Sequence, residues 1–423
     1  MSGPEGPVAA KHGVRERPPG EARSSAETED GQPRGEIPEK PKSKRAKRRR
    51  GRRGRGGARP PEAKPAAPKR DAERSPQSDR LYAALDLGTN NCRLLIARRA
   101  PEGFKVVDAY SRIVRLGEGL AGSGALSDAA MARAIDALRI CAEKMKRRGV
   151  TRARTIATAA CRTAANGEEF IARVRKETGL SLEIVSTEDE ARLAVAGCAP
   201  LLDSECTSAL VFDIGGGSTE LIWVRLEKAT ADKCRPVIGD WVSLPCGVVT
   251  LAERHGGVEV PGEVYRHMVS EVAERLVPFL DRLQQADTRE GAFHLLGTSG
   301  TVTTIAGVHL GLERYDRMQV DGIWISPQDV RRVTRSLLEM DYARRAAHPC
   351  VGQERADLVL AGCAIFEAIS DAWPADRLRV ADRGLREGIL MSLMEADAAR
   401  RRRRRRRRKS RRGAGTTTPA GVV

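Results

Sequence analysis

Three short segments carry residues able to handle phosphate. The most pronounced is Asp213-Ile214-Gly215-Gly216-Gly217-Ser218-Thr219-Glu220, set between two apolar runs. Three successive glycines leave backbone N–H groups bare, free to form a concave nest for phosphate oxygens. Asp213 and Glu220 bracket that nest with hard oxygen ligands suited to Mg²⁺ and its waters. A second turn, Asp86-Leu87-Gly88-Thr89-Asn90-Asn91, has the same logic: an acid at a strand end, a glycine, then hydroxyl and amide donors. The third, Gly297-Thr298-Ser299-Gly300-Thr301, lies between an apolar strand and an apolar helix. Its N–H groups could meet a phosphate at the helix N-terminus. Each turn alone also reads as an ordinary tight turn. Three in one chain point to a phosphorylated ligand held with a divalent cation.

These turns need strands and helices to aim them. Tyr82–Ala97 and Ser208–Val224 both read as strand, glycine turn, strand, with Asp86 and Asp213 127 residues apart, which suggests an internal duplication. Phe104–Arg115 reads as a further strand. Ser127–Arg148 has helical spacing, with Ser127 and Asp128 as cap residues. Arg154–Ala159 and Leu182–Val185 read as strands, Asn166–Thr178 and Glu188–Gly197 as helices. Alternation of this kind predicts an α/β fold. Beyond the second hairpin, Val260–Leu283 reads as helix, Ala292–Leu296 as strand, and the rest as helical with one strand near Leu378–Val380.

Charge divides the chain. Of the formal +18, residues 1–80 carry +10, residues 400–423 carry +12 and residues 81–399 only −4. The expected organisation is a disordered basic segment over 1–80, a first domain over 81–198, a second over 199–399, and a disordered arginine-rich tail over 400–423. Basic tails bind polyanions, nucleic acid or polyphosphate, with little sequence preference. No apolar run is long enough to span a bilayer, and no apolar segment follows the N-terminal charges, so neither a membrane span nor a secretory signal is expected. Nine scattered cysteines without a CxxC pair fit reduced thiols in the cytoplasm. The six histidines show no metal-ligand spacing.

Finer segments narrow the reading. Thr155–Arg162 (TIATAACR) is a strand delivering an arginine to a loop, and Ser186–Arg192 (STEDEAR) is an acidic turn opening a helix. Ala381–Gly388 (ADRGLREG) lies near the end. With the three turns, residues 81–395 resemble the exopolyphosphatase and guanosine pentaphosphate phosphohydrolase family (Ppx/GppA). That resemblance implies the actin-like ATPase fold, with two RNase H-like domains facing a central cleft. It implies a short form, because nothing here matches the C-terminal HD-type domain of long members. Thr89 stands where that family usually has serine, and keeps the hydroxyl.

The resemblance also assigns roles. Glu190 maps onto the family's catalytic glutamate and would activate water in line with a terminal P–O bond. Arg162 would contact a phosphate oxygen. Gly88, Thr89, Asn90, Gly215, Gly216, Gly217, Ser218, Gly297, Thr298, Ser299 and Gly300 would bind phosphates. Asp213, Glu220 and Asp86 would hold Mg²⁺ or another divalent cation. Glu387 would brace the domain junction. The implied substrate is inorganic polyphosphate, with guanosine pentaphosphate as the alternative and a homodimer as the implied assembly. A kinase or chaperone-type ATPase lacks support in the Glu190 segment. A non-enzymatic polyanion binder does not need Asp86, Glu190, Asp213 and Glu220 intact.

Overall fold

The computed structural model describes residues 80–413, apart from 102, 231–232 and 287–290. The basic segment expected over 1–80, apart from its last residue, and the last ten residues of the chain lie outside the described residues. Two mixed sheets dominate. The first contains β1 (Leu81–Leu87), β2 (Asn91–Ala100), β3 (Gly103–Ile113), β4 (Arg152–Ala157) and β5 (Glu183–Ile184), in the order β3-β2-β1-β4-β5. The second contains β6 (Ser208–Ile214), β7 (Thr219–Thr230), β8 (Lys233–Leu244), β9 (Phe293–Thr298), β10 (Trp324–Ile325) and β11 (Leu378–Ala381), in the order β10-β11-β9-β6-β7-β8.

The duplication suspected from the two hairpins is visible in the ladders. β1–β2 and β2–β3 pair antiparallel, while β1–β4 and β4–β5 pair parallel. β6–β7 and β7–β8 pair antiparallel, while β6–β9 and β9–β11 pair parallel. The same five-strand topology therefore occurs twice, with β10 added at one edge. This is the architecture of the actin-like ATPase fold.

Strand alternation places apolar residues on both faces of each sheet. Ala83, Leu85, Leu94 and Ile96 face the helices Asp128–Arg148 and Gly167–Thr178. Tyr82, Ala84, Leu95 and Ala97 face Leu193 together with Ile389, Leu390 and Met394. In the second sheet, Val211, Ile222 and Val224 face Ala191, Val195 and Cys198. Its opposite face, with Leu210, Phe212 and Leu221, is covered by Gly262–Gln285, Gly300–His309, Pro327–Leu338 and Val359–Ala372. The helix Thr187–Cys198 thus lies between the two sheets, contributing to both cores.

Its partner there is the last helix, Leu385–Gly413. The two backbones touch: a Cβ at Gly388 would overlap the Leu193 carbonyl, and one at Gly197 the Gly384 carbonyl. Only glycine permits that approach.

Several elements differ from expectation. Arg154–Ala159 shifts to β4 at Arg152–Ala157, and a short helix, Ala159–Thr163, follows. Arg162 therefore sits on a helix, not in a loop. β8 and the helix Val248–His255 were not legible, because Lys233–Leu244 mixes charged, glycine and proline positions without clean alternation. The arginine run from residue 400 continues the last helix to Gly413 instead of opening a disordered tail. All nine cysteines are free thiols, and no helix among the described residues is long and apolar enough to cross a membrane.

Candidate active site

The two phosphate turns meet face to face. In the first, Gly88 N–H donates to the Asn91 carbonyl at 2.9 Å, closing the hairpin. The Thr89 carbonyl accepts from Gly117 N–H at 2.9 Å, and the Asn90 carbonyl from Val114 and Arg115 N–H at 2.9 and 3.1 Å. The second turn repeats this scheme. Gly215 N–H donates to the Ser218 carbonyl at 2.9 Å, and Val248 and Val249 N–H donate to the Gly215 and Gly216 carbonyls at 2.9 and 2.8 Å. Tying the carbonyls back in this way turns the turn amides outward. Among the described hydrogen bonds, none uses the N–H of Thr89, Asn90, Gly216 or Gly217. Those donors are left for a ligand.

Between the turns lies a cavity of about 480 Å³. Its wall includes Asp86, Gly88, Thr89 and Asn90 from the first turn, and Asp213, Gly215, Gly216, Gly217, Ser218 and Glu220 from the second. Thr298, Ser299 and Gly300 of the third turn line it, as does Glu190. The turns are in close contact across it: a Cβ at Gly217 would lie 2.7 Å from Thr89 Oγ1.

Two sequence-assigned residues are not brought to the cavity. Gly297 lies within β9, and a Cβ there would lie 2.5 Å from Phe212 Cζ. Its role is close packing of the strand against the core, and the correction follows from its position one residue before the turn. Arg162 does not line the cavity either. Its Nη1 donates to Glu190 Oε2 at 3.0 Å and to the Val185 carbonyl at 2.9 Å. Its guanidinium is thus held on the glutamate and on the strand-end carbonyl.

The acids are buried close together. Burial, then the nearby Glu220, raises Glu190 well above the usual carboxylate range, with Arg162 opposing. Burial and Glu220 push Asp213 up to about 7. Burial raises Asp86 too, against the pull of Arg93 and Arg386. Glu220 is buried and raised by that burial, although Ser218 and Ser243 hydroxyls donate to its Oε1 at 2.6 and 2.9 Å. Four carboxyls facing one cavity favour a cation among them. Asp86 Oδ1 is buried without a hydrogen-bond partner, as a group awaiting a cation would be. Among the described residues, however, no three side chains stand close enough to enclose a metal by themselves.

The third turn is strained. Ser299 has φ 104°, rare for a residue with a side chain, and its buried Oγ has no partner. Such backbone conformations cluster where a fold aims groups at a ligand. Thr298 Oγ1 donates to the Arg383 carbonyl at 2.8 Å and ties this turn to the start of the last helix.

Two cavity-lining arginines were not assigned from sequence. Arg93 and Arg386 line the cavity, and neither guanidinium has a hydrogen-bond or ion-pair partner among the described residues. Burial lowers Arg386 despite the acids near it. A signal for Arg93 did exist. Register pairs Asp86 with Arg93 in the first hairpin, and Asp213 with Glu220 in the second. The duplicated fold thus places an arginine on one wall and a glutamate at the matching point of the other. Glu387 is buried, pairing with Arg317 at 2.9 Å and accepting from Gly384 N–H at 3.0 Å, so it braces the start of the last helix.

Fold and cavity together define an actin-like protein with a phosphate-type cavity between two opposed turns. The profile of the Ppx/GppA phosphatase family matches residues 95–397, and the chain belongs to that family. Solved structures agree. A Ppx/GppA family member from Aquifex aeolicus is 28% identical, covering 75% of this chain and 98% of its own, with TM-score 0.58. A structure described as an exopolyphosphatase-like protein is also 28% identical, covering 74% and 97%, with TM-score 0.66. An exopolyphosphatase from Cytophaga hutchinsonii shares the fold at 24% identity, covering 75% and 98%, with TM-score 0.67. The chain is a phosphatase.

Proposed function

We propose that this phosphatase releases terminal phosphate from inorganic polyphosphate in the cytoplasm. The observation that carries the reading is Glu190, held by Arg162 beside two opposed nests of free N–H donors. A phosphate chain would lie in the cavity with its terminal group at the turns. Glu190 takes a proton from water as the water oxygen attacks terminal phosphorus. The P–O anhydride bond breaks, and the shortened chain leaves with its charge offset by Arg93 and Arg386. The N–H donors of Gly216, Gly217, Thr89 and Asn90 hold phosphoryl oxygens as charge redistributes, a preorganised arrangement that needs no rearrangement during reaction. Asp86, Asp213 and Glu220 would hold Mg²⁺. When bound, the ion supplies charge neutralisation at the leaving phosphate.

A second reading, guanosine pentaphosphate, is favoured by one feature. Tyr315, Pro349, Val351, Leu358 and Val359 form an apolar stretch of the cavity wall that a bare phosphate chain does not need and a nucleobase could cover. The 28%-identical exopolyphosphatase-like relative supports the first reading.

The test is phosphate release with Mg²⁺ from medium-chain polyphosphate, guanosine pentaphosphate and ATP. Release from polyphosphate, lowered at least ~100-fold by Glu190→Gln, is the expected result for a lost general base. Release from guanosine pentaphosphate alone would select the second reading. Release unaffected by the substitution would remove Glu190 from the mechanism.

A further inference from the structure

The last helix links the catalytic cavity to the far end of the first sheet. It begins at the cavity, whose wall includes Leu385, Arg386 and Glu387. It then runs along the sheet, burying Ile389, Leu390 and Met394 with Tyr82 and Ala84. Asp397 is the last anchor. It is buried, accepts from Tyr82 Oη at 3.2 Å, and pairs with Arg80 at 3.4 Å and Arg152 at 3.7 Å. Tyr82 is the second residue of β1, and Leu87 ends it at the phosphate turn. The anchor therefore lies about 15 Å from the cavity, ten helical residues beyond Glu387.

Beyond Asp397 the helix continues to Gly413, a further ~24 Å. Arg400, Arg402 and Arg403 are exposed. Residues 400–412 contain twelve arginines and lysines in thirteen positions and no acid. Along a helix that is one positive charge per about 1.6 Å, close to the phosphate spacing of a dense polyanion. Like charges at i,i+4 oppose helix formation. The packed 385–397 stretch supplies the nucleus from which the helix extends, and a bound polyanion would remove the repulsion.

We propose that this arginine-rich end of the last helix is a second anion site, which binds long-chain inorganic polyphosphate and keeps it attached while its end is hydrolysed in the cavity. The inference rests on the polyphosphate reading above. Residues 81–399 carry −4, so the body does not attract a polyanion by itself. Binding by the helix would release counterions and fall steeply with salt. A tethered chain experiences a high effective concentration at the cavity only if it can bridge the ~20 Å of helix from Glu387 to Arg400. Long chains gain from this, and tripolyphosphate does not.

The test uses the full chain with Arg400→Gln through Arg408→Gln, since glutamine keeps helix propensity while removing charge. In a Glu190→Gln background, long-chain polyphosphate binding is measured by competition at several KCl concentrations. In the active background, kcat/KM is measured for long-chain polyphosphate and for tripolyphosphate. The expected result is at least tenfold weaker binding in the glutamine variant at low salt, with the gap closing at high salt. The kcat/KM for long chains should fall at least tenfold, with tripolyphosphate unchanged. Equal binding by parent and variant would overturn the second site. So would RNA displacing polyphosphate at equal phosphate concentration, which would assign the helix to nucleic acid. If both proteins hydrolyse long and short chains alike, the second site falls and the hydrolase reading stands. If neither hydrolyses polyphosphate but the binding gap persists, the second site stands and the hydrolase reading falls.

Discussion

A carboxylate that takes a proton from water must be ionised and aimed at once. Burial and Glu220 work against ionisation of Glu190, and Arg162 works for it. The same guanidinium fixes the direction of Oε2 through its second bond to the Val185 carbonyl. Removing the charge should therefore act on the pH profile, not only on the rate. Ionised Glu190 is the active form, so activity is lost as pH falls through its pKa. In Arg162→Gln that pKa rises further, and the acidic limb of kcat/KM should move to higher pH by about one unit. Arg162→Lys keeps the charge and should move the limb less while still losing the aim. Identical limbs in all three proteins, with only the maximum changed, would show that Arg162 acts by geometry alone.

Glycines in the two kinds of loop do different work. Gly217 sits where the turns meet, and a Cβ there would press on Thr89 Oγ1 at 2.7 Å. Gly217→Ala should part the turns and lower kcat/KM at least tenfold with little change in Tm. Gly297 packs β9 against Phe212 and Val302, so Gly297→Ala should overpack the core and cost about 1–3 kcal/mol of stability. Comparing Tm and kcat/KM for both variants checks the division. Matching losses of activity and stability in each would refute it. The sequence separates these glycines poorly, since both lie in segments of similar composition, and only the ladder shows that Gly297 is still inside its strand. The two hairpins were legible because apolar alternation and a glycine turn are local signals. Arg93 was not, because a lone arginine in a strand reads as a solvated face until register places it opposite Asp86. The pairing of Arg162 with Glu190 was not legible, for the two are 28 residues apart in the chain. The end of the last helix was missed because its charge opposes helix, while the packing that starts it lies upstream at Ile389–Met394.

At the scale of the molecule, the two lobes are joined by the helices Thr187–Cys198 and Leu385–Gly413 packed between the sheets, and polar contacts add to them on the side of the first turn. Arg115 donates from Nη1 and Nη2 to the two oxygens of Asp357, at 2.7 and 3.0 Å, and from Nη2 to the Glu354 carbonyl at 3.1 Å. Arg115 belongs to the segment tied to the first turn, and Asp357 to the second lobe. Its φ of 46° is unusual for a residue with a side chain, so the backbone accepts strain to present this fork. Nearby, Gly119 N–H donates to Glu253 Oε1 at 2.8 Å, again across the lobes. Both contacts are partly exposed, so each contributes modestly, with the bidentate pair near ~1 kcal/mol. That is small enough to break for substrate entry and large enough to bias closure. Asp357→Ala should therefore shift the lobes apart without unfolding either. Small-angle scattering should show a larger radius of gyration, and KM should rise several-fold while Tm moves by only a few degrees. If chemistry rather than opening limits turnover, kcat should fall as the turns lose their contact. If opening limits it, kcat should rise. An unchanged radius and KM would mean that the turns hold each other without the Arg115–Asp357 pair, and closure would then have to come from the Thr89–Gly217 contact itself.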